Sequence, residues 1–137
     1  MTMTREQRAL VAEIRAKGRR LEGYAATFGT ETRISDFIEV IAPGAFRASL
    51  DQGKDILALV DHDAKRVLAR TRSGSLRLSE DSRGLAFDLD LPETSYGRDV
   101  LALAERGDIG GMSFAFSVDK EGDQWRGDHR ELRSVIL

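Results

Sequence analysis

The sequence predicts a mainly β fold of the α+β kind: a mostly antiparallel barrel of about seven strands with two or three flanking helices. Three observations predict it. Short runs alternate apolar and polar residues with period two, as where Phe87, Leu89 and Leu91 alternate with Asp88 and Asp90. Turn signals such as Ser73-Gly74 and Asp81-Ser82-Arg83-Gly84 recur roughly every eight to twelve residues. Helical spacing is confined to a few segments. A chain of 137 residues is long enough to bury one core and is read as a barrel domain over residues 19–137, preceded by a helical extension over residues 1–18.

Taken in order, Thr4–Lys17 reads as a helix. Thr4 and Gln7 have capping-box spacing, Leu10, Val11 and Ile14 form a narrow apolar stripe, and Gly18 suits the C-cap. Arg19–Phe28 alternates as a strand, and Ile34–Ile41 is a second. Pro43 suits the first turn of a short helix through Gly44–Leu50. Asp55–Asp63 is apolar from Ile56 to Val60, which predicts a strand buried on both faces. Val67–Thr71, Ser75–Ser79 and Gly84–Leu91 are three further strands. Thr94–Arg106 reads as a helix with Val100, Leu101, Leu103 and Ala104 inward, stopped by Gly107. A strand through Ser113, a charged hairpin at Asp119–Asp123, Trp125 and a last strand over Leu132–Leu137 complete the chain.

Composition narrows the chemistry. The 21 basic and 23 acidic residues leave a net charge of −2, which gives no reason to expect nucleic acid as a partner. There is no cysteine, hence no disulfide, thiolate zinc site or cysteine nucleophile. No apolar run is long enough to span a bilayer, and no signal-peptide pattern opens the chain, so the cytoplasm is the expected compartment and a membrane is not expected as a partner.

The informative stretch is Gly107–Val118, GDIGGMSFAFSV. Met112, Phe114, Phe116 and Val118 share one parity, while Ser113, Ala115 and Ser117 take the other. A small nucleophile after the Gly110-Gly111 pair, at the start of a strand, suits acyl transfer; it also suits an ordinary strand with one polar face. The chain has two histidines, His62 and His129. His62 follows a strand between Asp61 and Asp63, where a general base or a metal ligand would fit, as would an ordinary polar loop residue. Those three residues do not supply a converging ligand set, and no metal is expected. Phosphate loops and dinucleotide fingerprints are absent, and no cofactor is expected. Gly111-Met112-Ser113-Phe114-Ala115 lacks the second glycine of the common nucleophile elbow.

The ordered set of segments resembles the prohead (capsid maturation) proteases of tailed bacteriophages. It consists of Gly23-Tyr24-Ala25 with Phe28, Ile41-Ala42-Pro43-Gly44-Ala45-Phe46, Leu59-Val60-Asp61-His62-Asp63 and Gly74-Ser75-Leu76-Arg77-Leu78. Gly84-Leu85 with Phe87, Leu91-Pro92 and Gly107 through Phe116 complete it. The resemblance implies a serine endopeptidase with the fold of herpesvirus maturation proteases. It implies that the enzyme cleaves scaffold segments of the major capsid protein, and its own chain, inside the immature shell in the host cytoplasm. It places the nucleophile on Ser113 and the general base on His62, and a homo-oligomer is compatible with it. The family's last strand runs on into an acidic residue and a Ser…Pro-Ala-Tyr segment, whereas this chain stops at Val135-Ile136-Leu137. A truncated or self-trimmed form is therefore expected, with the third catalytic residue beyond Leu137. Within the chain, His129 is the fallback, by analogy with the Ser–His–His herpesvirus arrangement, and Glu131 is the other candidate. Oxyanion donors are sought around Arg70-Thr71-Arg72 or at Gly110-Gly111. Two other readings compete: a non-enzymatic capsid-assembly module on the same barrel, and a metal-dependent hydrolase using Asp61, His62 and Asp63.

Overall fold

The amino-terminal segment is a strand, not a helix. In the computed structural model, which describes residues 5–11, 14–109 and 111–137, β1 (Glu6–Val11) lies antiparallel to the strand carrying Ser113, with Ala9 opposite Ser113. Exposure alternates along it, Glu6 and Arg8 half-buried against the exposed Gln7 and Ala9. Three apolar residues at helical spacing are a weak signal, and a long ladder that satisfies the backbone outweighs it. Thr4, the expected cap, lies outside the described residues. β1 therefore shares a sheet with β10 and β13.

β2 (Arg15–Lys17) and β3 (Arg20–Thr27) form a hairpin, as do β4 (Thr32–Ile34) and β5 (Phe37–Ile41). The single strand expected over 34–41 is thus split at Ser35, which adopts φ +55°. After α1 (Arg47–Asp51) come β6 (Leu57–Val60), β7 (Asp63–Arg70), β8 (Leu76–Glu80) and β9 (Gly84–Asp90). β6 is not buried on both faces: it pairs with β7 alone among the described residues, and Leu57 is 41% exposed. α2 (Ser95–Arg106) starts where Thr94 Oγ1 accepts the Gly97 amide at 3.0 Å and stops at Gly107, which is left-handed at φ +76°. Its inward face is Gly97, Val100, Leu101 and Ala104; Leu103 points to solvent. β10 (Gly111–Val118), β11 (Asp123–Arg126), β12 (His129–Leu132) and β13 (Val135–Ile136) follow.

The chain is mainly β, with two helices among the described residues. The strands number thirteen among the described residues rather than about seven: the expected strand over 34–41 is split in two, and β1 and β2 stand where a helix was expected. Among the described residues no closed barrel is seen. The ladders make four open sheets, ordered β1-β10-β13, β11-β12-β5-β4, β2-β3-β9-β8 and β6-β7. All pairings are antiparallel except β12 with β5. Single bonds tie these sheets to their surroundings: Gly29 N, just after β3, donates to Ile41 O at the end of β5 at 3.0 Å, and Val135 N on β13 donates to Ala45 O in the turn before α1 at 3.0 Å. Period-two alternation reports which face of a strand is wet, not whether its edge is paired, so closure was not legible.

Phe46, Phe116, Leu85, Leu89, Leu132 and Val135 form the fully buried centre. Phe114 meets Phe46 edge-on at 5.6 Å and stacks on Phe116 at 5.4 Å. The burial of such side chains contributes about 1.5–3 kcal/mol each. This cluster seats the β10 face opposite to Ser113 and so fixes where the serine points.

Candidate active site

The site begins with a two-residue turn. Val60 faces Asp63 across the β6–β7 hairpin, which leaves Asp61 and His62 as its loop. Both have positive φ, +51° and +56°, the geometry of a type I′ turn that glycine and asparagine usually fill. Aspartate and histidine are among the side chains that tolerate it best. The turn throws the His62 ring clear of the sheet.

Ser113, two residues into β10, meets it. Its Oγ is hydrogen-bonded to His62 Nε2. Among the described residues, His62 Nδ1 has no hydrogen-bond partner. The flanking aspartates do not converge on the imidazole: Asp63 Oδ2 accepts from Arg66 Nε at 3.2 Å and Asp61 Oδ2 from Arg66 Nη2 at 3.5 Å. Among the described residues, no group of three or more histidine, cysteine or acidic side chains is arranged to hold a metal.

The pair sits on a cleft of about 820 Å³. Its walls are mostly apolar, with Leu57, Leu59, Leu76, Leu78, Met112 and Leu137 around the serine. Asp55 also lines the cleft. Its carboxyl is bonded to the Arg70 guanidinium and accepts the Arg72 amide at 3.0 Å. The bond from Arg70, helped by that amide, holds Asp55 below the usual carboxylate range.

The loop expected to supply oxyanion donors has no free amide. Arg70 N donates to Ser75 Oγ at 3.0 Å, Thr71 N to Ile56 O at 3.0 Å and Arg72 N to Asp55. Of the other candidate turn, Gly110 lies outside the described residues and Gly111 lines the cleft.

The structure thus brings Ser113 and His62 together, and it does not bring the two candidates within the chain, His129 and Glu131, to them. His129 and Glu131 line a separate, smaller cavity with Ile38 and Arg126. His129 Nδ1 is bonded to Asp128 at 2.8 Å, and Glu131 to Arg133. The physical reason is the parallel pairing of β12 with β5, which carries both residues onto a different sheet from Ser113. Asp55 and the leucine walls were missed, and Arg70, expected only in an oxyanion loop, instead bonds the Asp55 carboxyl. Asp61-His62 read as a two-residue hairpin would have folded Leu57 back onto Arg70, where the ladder places it.

A serine hydroxyl bonded to an imidazole beside an apolar cleft, on a mainly β scaffold, is the constellation of a serine hydrolase. The family model of the caudovirus prohead serine proteases matches residues 7–137. The chain belongs to that family. No curated protein and no solved structure matches it. Among the described residues, no helix is long and apolar enough to cross a membrane.

Proposed function

We propose that this chain is a serine endopeptidase that cuts scaffold segments of capsid proteins, and its own chain, inside the immature capsid in the host cytoplasm. Ser113 is the nucleophile and His62 the general base. The observation that supports these roles is the bond between Ser113 Oγ and His62 Nε2 at the mouth of the apolar cleft. With the imidazole proton on Nδ1, Nε2 accepts the hydroxyl proton as Oγ attacks the scissile carbonyl. The imidazolium returns that proton to the leaving amine, and water then releases the acyl group by the same two transfers. Since the amides of Arg70, Thr71 and Arg72 are engaged, the backbone beside Gly111 is the remaining candidate donor for the oxyanion.

The test is cleavage of a capsid–scaffold polypeptide. Ser113→Ala should lower turnover by about 10⁴–10⁶-fold, the scale on which deleting a serine nucleophile acts, with no change in folding. Cleavage at the parent rate by that variant would leave a non-catalytic assembly role for the same fold.

A further inference from the structure

The main chain of β10 offers an edge beside Ser113. β1 covers one side of it from Gly111 to Phe116, while β13, on the other side, reaches only Ser117 and Val118. Among the described residues, the β13 side of Gly111–Phe116 carries no strand. One bond fixes which groups face it. Asp119 N donates to Ser134 O at 3.1 Å, one step beyond Val118↔Val135 in the same register. Alternate residues of an antiparallel strand aim their N–H and C=O at the same edge. Ser117, Ala115 and Ser113 therefore present theirs on the β13 side with Asp119. The Ala115 carbonyl already accepts from Arg5 Nη2 at 3.4 Å, and Arg5 lines the cleft.

The opposite wall is also a strand edge. Asp55 through Leu59 line the cleft without a break. Side chains alternate across a strand, so consecutive lining means that the cleft looks along the edge of β6 rather than onto a face. Between the two edges the surface supplied by Leu57, Leu59, Leu76, Leu78 and Met112 is apolar, so aliphatic side chains bury there at least cost. Leu137, the residue after β13, stands at one end of the same track.

We infer that the cleft takes an extended, aliphatic polypeptide segment, which adds to β10 as an antiparallel strand in the register that β13 begins. Continued from Ser117↔Ile136 and Val118↔Val135, that register sets the third position past Leu137 level with Ser113. Main-chain bonds to Ala115 and Ser113 give the segment its grip, and the leucine walls select its side chains. The inference rests on the proteolytic reading for the bond that is cut, but not for the ladder.

A segment joined to Leu137 is delivered onto this track, so a tethered probe tests it. The Ser113→Ala chain is lengthened after Leu137 by Ala-Leu-Ala-Ser-Gly-Ser, and amide hydrogen exchange of the added residues is followed by NMR. The first and third added amides, facing Ala115 and Ser113, should exchange roughly five- to tenfold more slowly than the second, as expected for one hydrogen bond each. Changing the added leucine, which lies opposite Phe114, to aspartate should abolish that difference. Equal exchange at all three positions overturns the inference, as does alternation that survives the aspartate. With Ser113 restored, a cut after the third added residue supports both readings. Alternating protection without any cut leaves the ladder and removes the proteolytic role, whereas cutting without alternation does the reverse.

Discussion

His62 occupies a backbone conformation that its own side chain disfavours. A left-handed conformation costs a residue with a Cβ about 1–2 kcal/mol, and two such residues follow one another in this turn. Glycine would remove the penalty but bring about 0.5–1 kcal/mol of extra unfolded-state freedom. On that balance His62→Gly should stabilise the protein by roughly 0.5–1 kcal/mol in urea unfolding while abolishing cleavage; a loss of stability would show that the turn is unstrained. His62→Gln keeps the Cβ, so it should lose cleavage with little change in stability. The trade is the one expected where a strained conformation aims a functional group. The strand that carries Ser113 was legible because it alternates cleanly after a glycine pair; what singled out the serine on it was the resemblance. His62 was legible as a residue but not as a turn, since two polar residues after an apolar run signal a strand end as well as a hairpin.

Elements were legible where their ends carry their own chemistry. α2 is the clearest: Thr94 and Gly107 each satisfy backbone groups that the helix leaves open, and Gly107 was readable as its stop. Thr94→Ala removes the acceptor for the Gly97 amide and should cost about 1 kcal/mol of stability, read as a lower unfolding midpoint. An unchanged midpoint would mean that packing of Gly97, Val100 and Ala104 alone sets the helix start. β1 was not legible, because its partner lies more than a hundred residues away on β10 and no local signal reports that pairing. Likewise Ser35-Asp36 breaks the expected strand at a turn with none of the glycine that usually marks one. That His129, the fallback candidate, lies on another sheet from Ser113 has the same origin: strand spacing along the chain carries no information on which sheet a hairpin joins.

At the scale of the whole molecule, ion pairs bind the amino-terminal strand to a sheet with which it shares no ladder. Glu39 on β5 is 3% exposed; it accepts from Arg8 Nε on β1 at 2.6 Å and from Arg130 Nη1 on β12 at 3.3 Å. Arg130 also reaches Glu6 at 2.9 Å and Asp123 at 2.9 Å, and lies 5.5 Å over the Trp125 ring. Removing one member strands buried charge, so Arg130→Ala should cost about 3–5 kcal/mol. Because β1 flanks β10, the loss should be accompanied by faster amide exchange along Glu6–Val11. The same network sets acid sensitivity. The bond from Arg130 holds the Glu6 carboxyl below its ordinary range, with Arg8 assisting and burial opposing. A carboxyl depressed in the folded state contributes its stability above the unfolded value, about 4.3, and loses it as pH falls through that value towards the lowered one. Urea midpoints measured downward from pH 7 should therefore fall more steeply below that value for the parent than for Glu6→Gln. The deficit of the variant should be largest near neutrality and shrink as the solution is acidified. Parallel curves for the two proteins would mean that Glu6 adds nothing to the hold on β1.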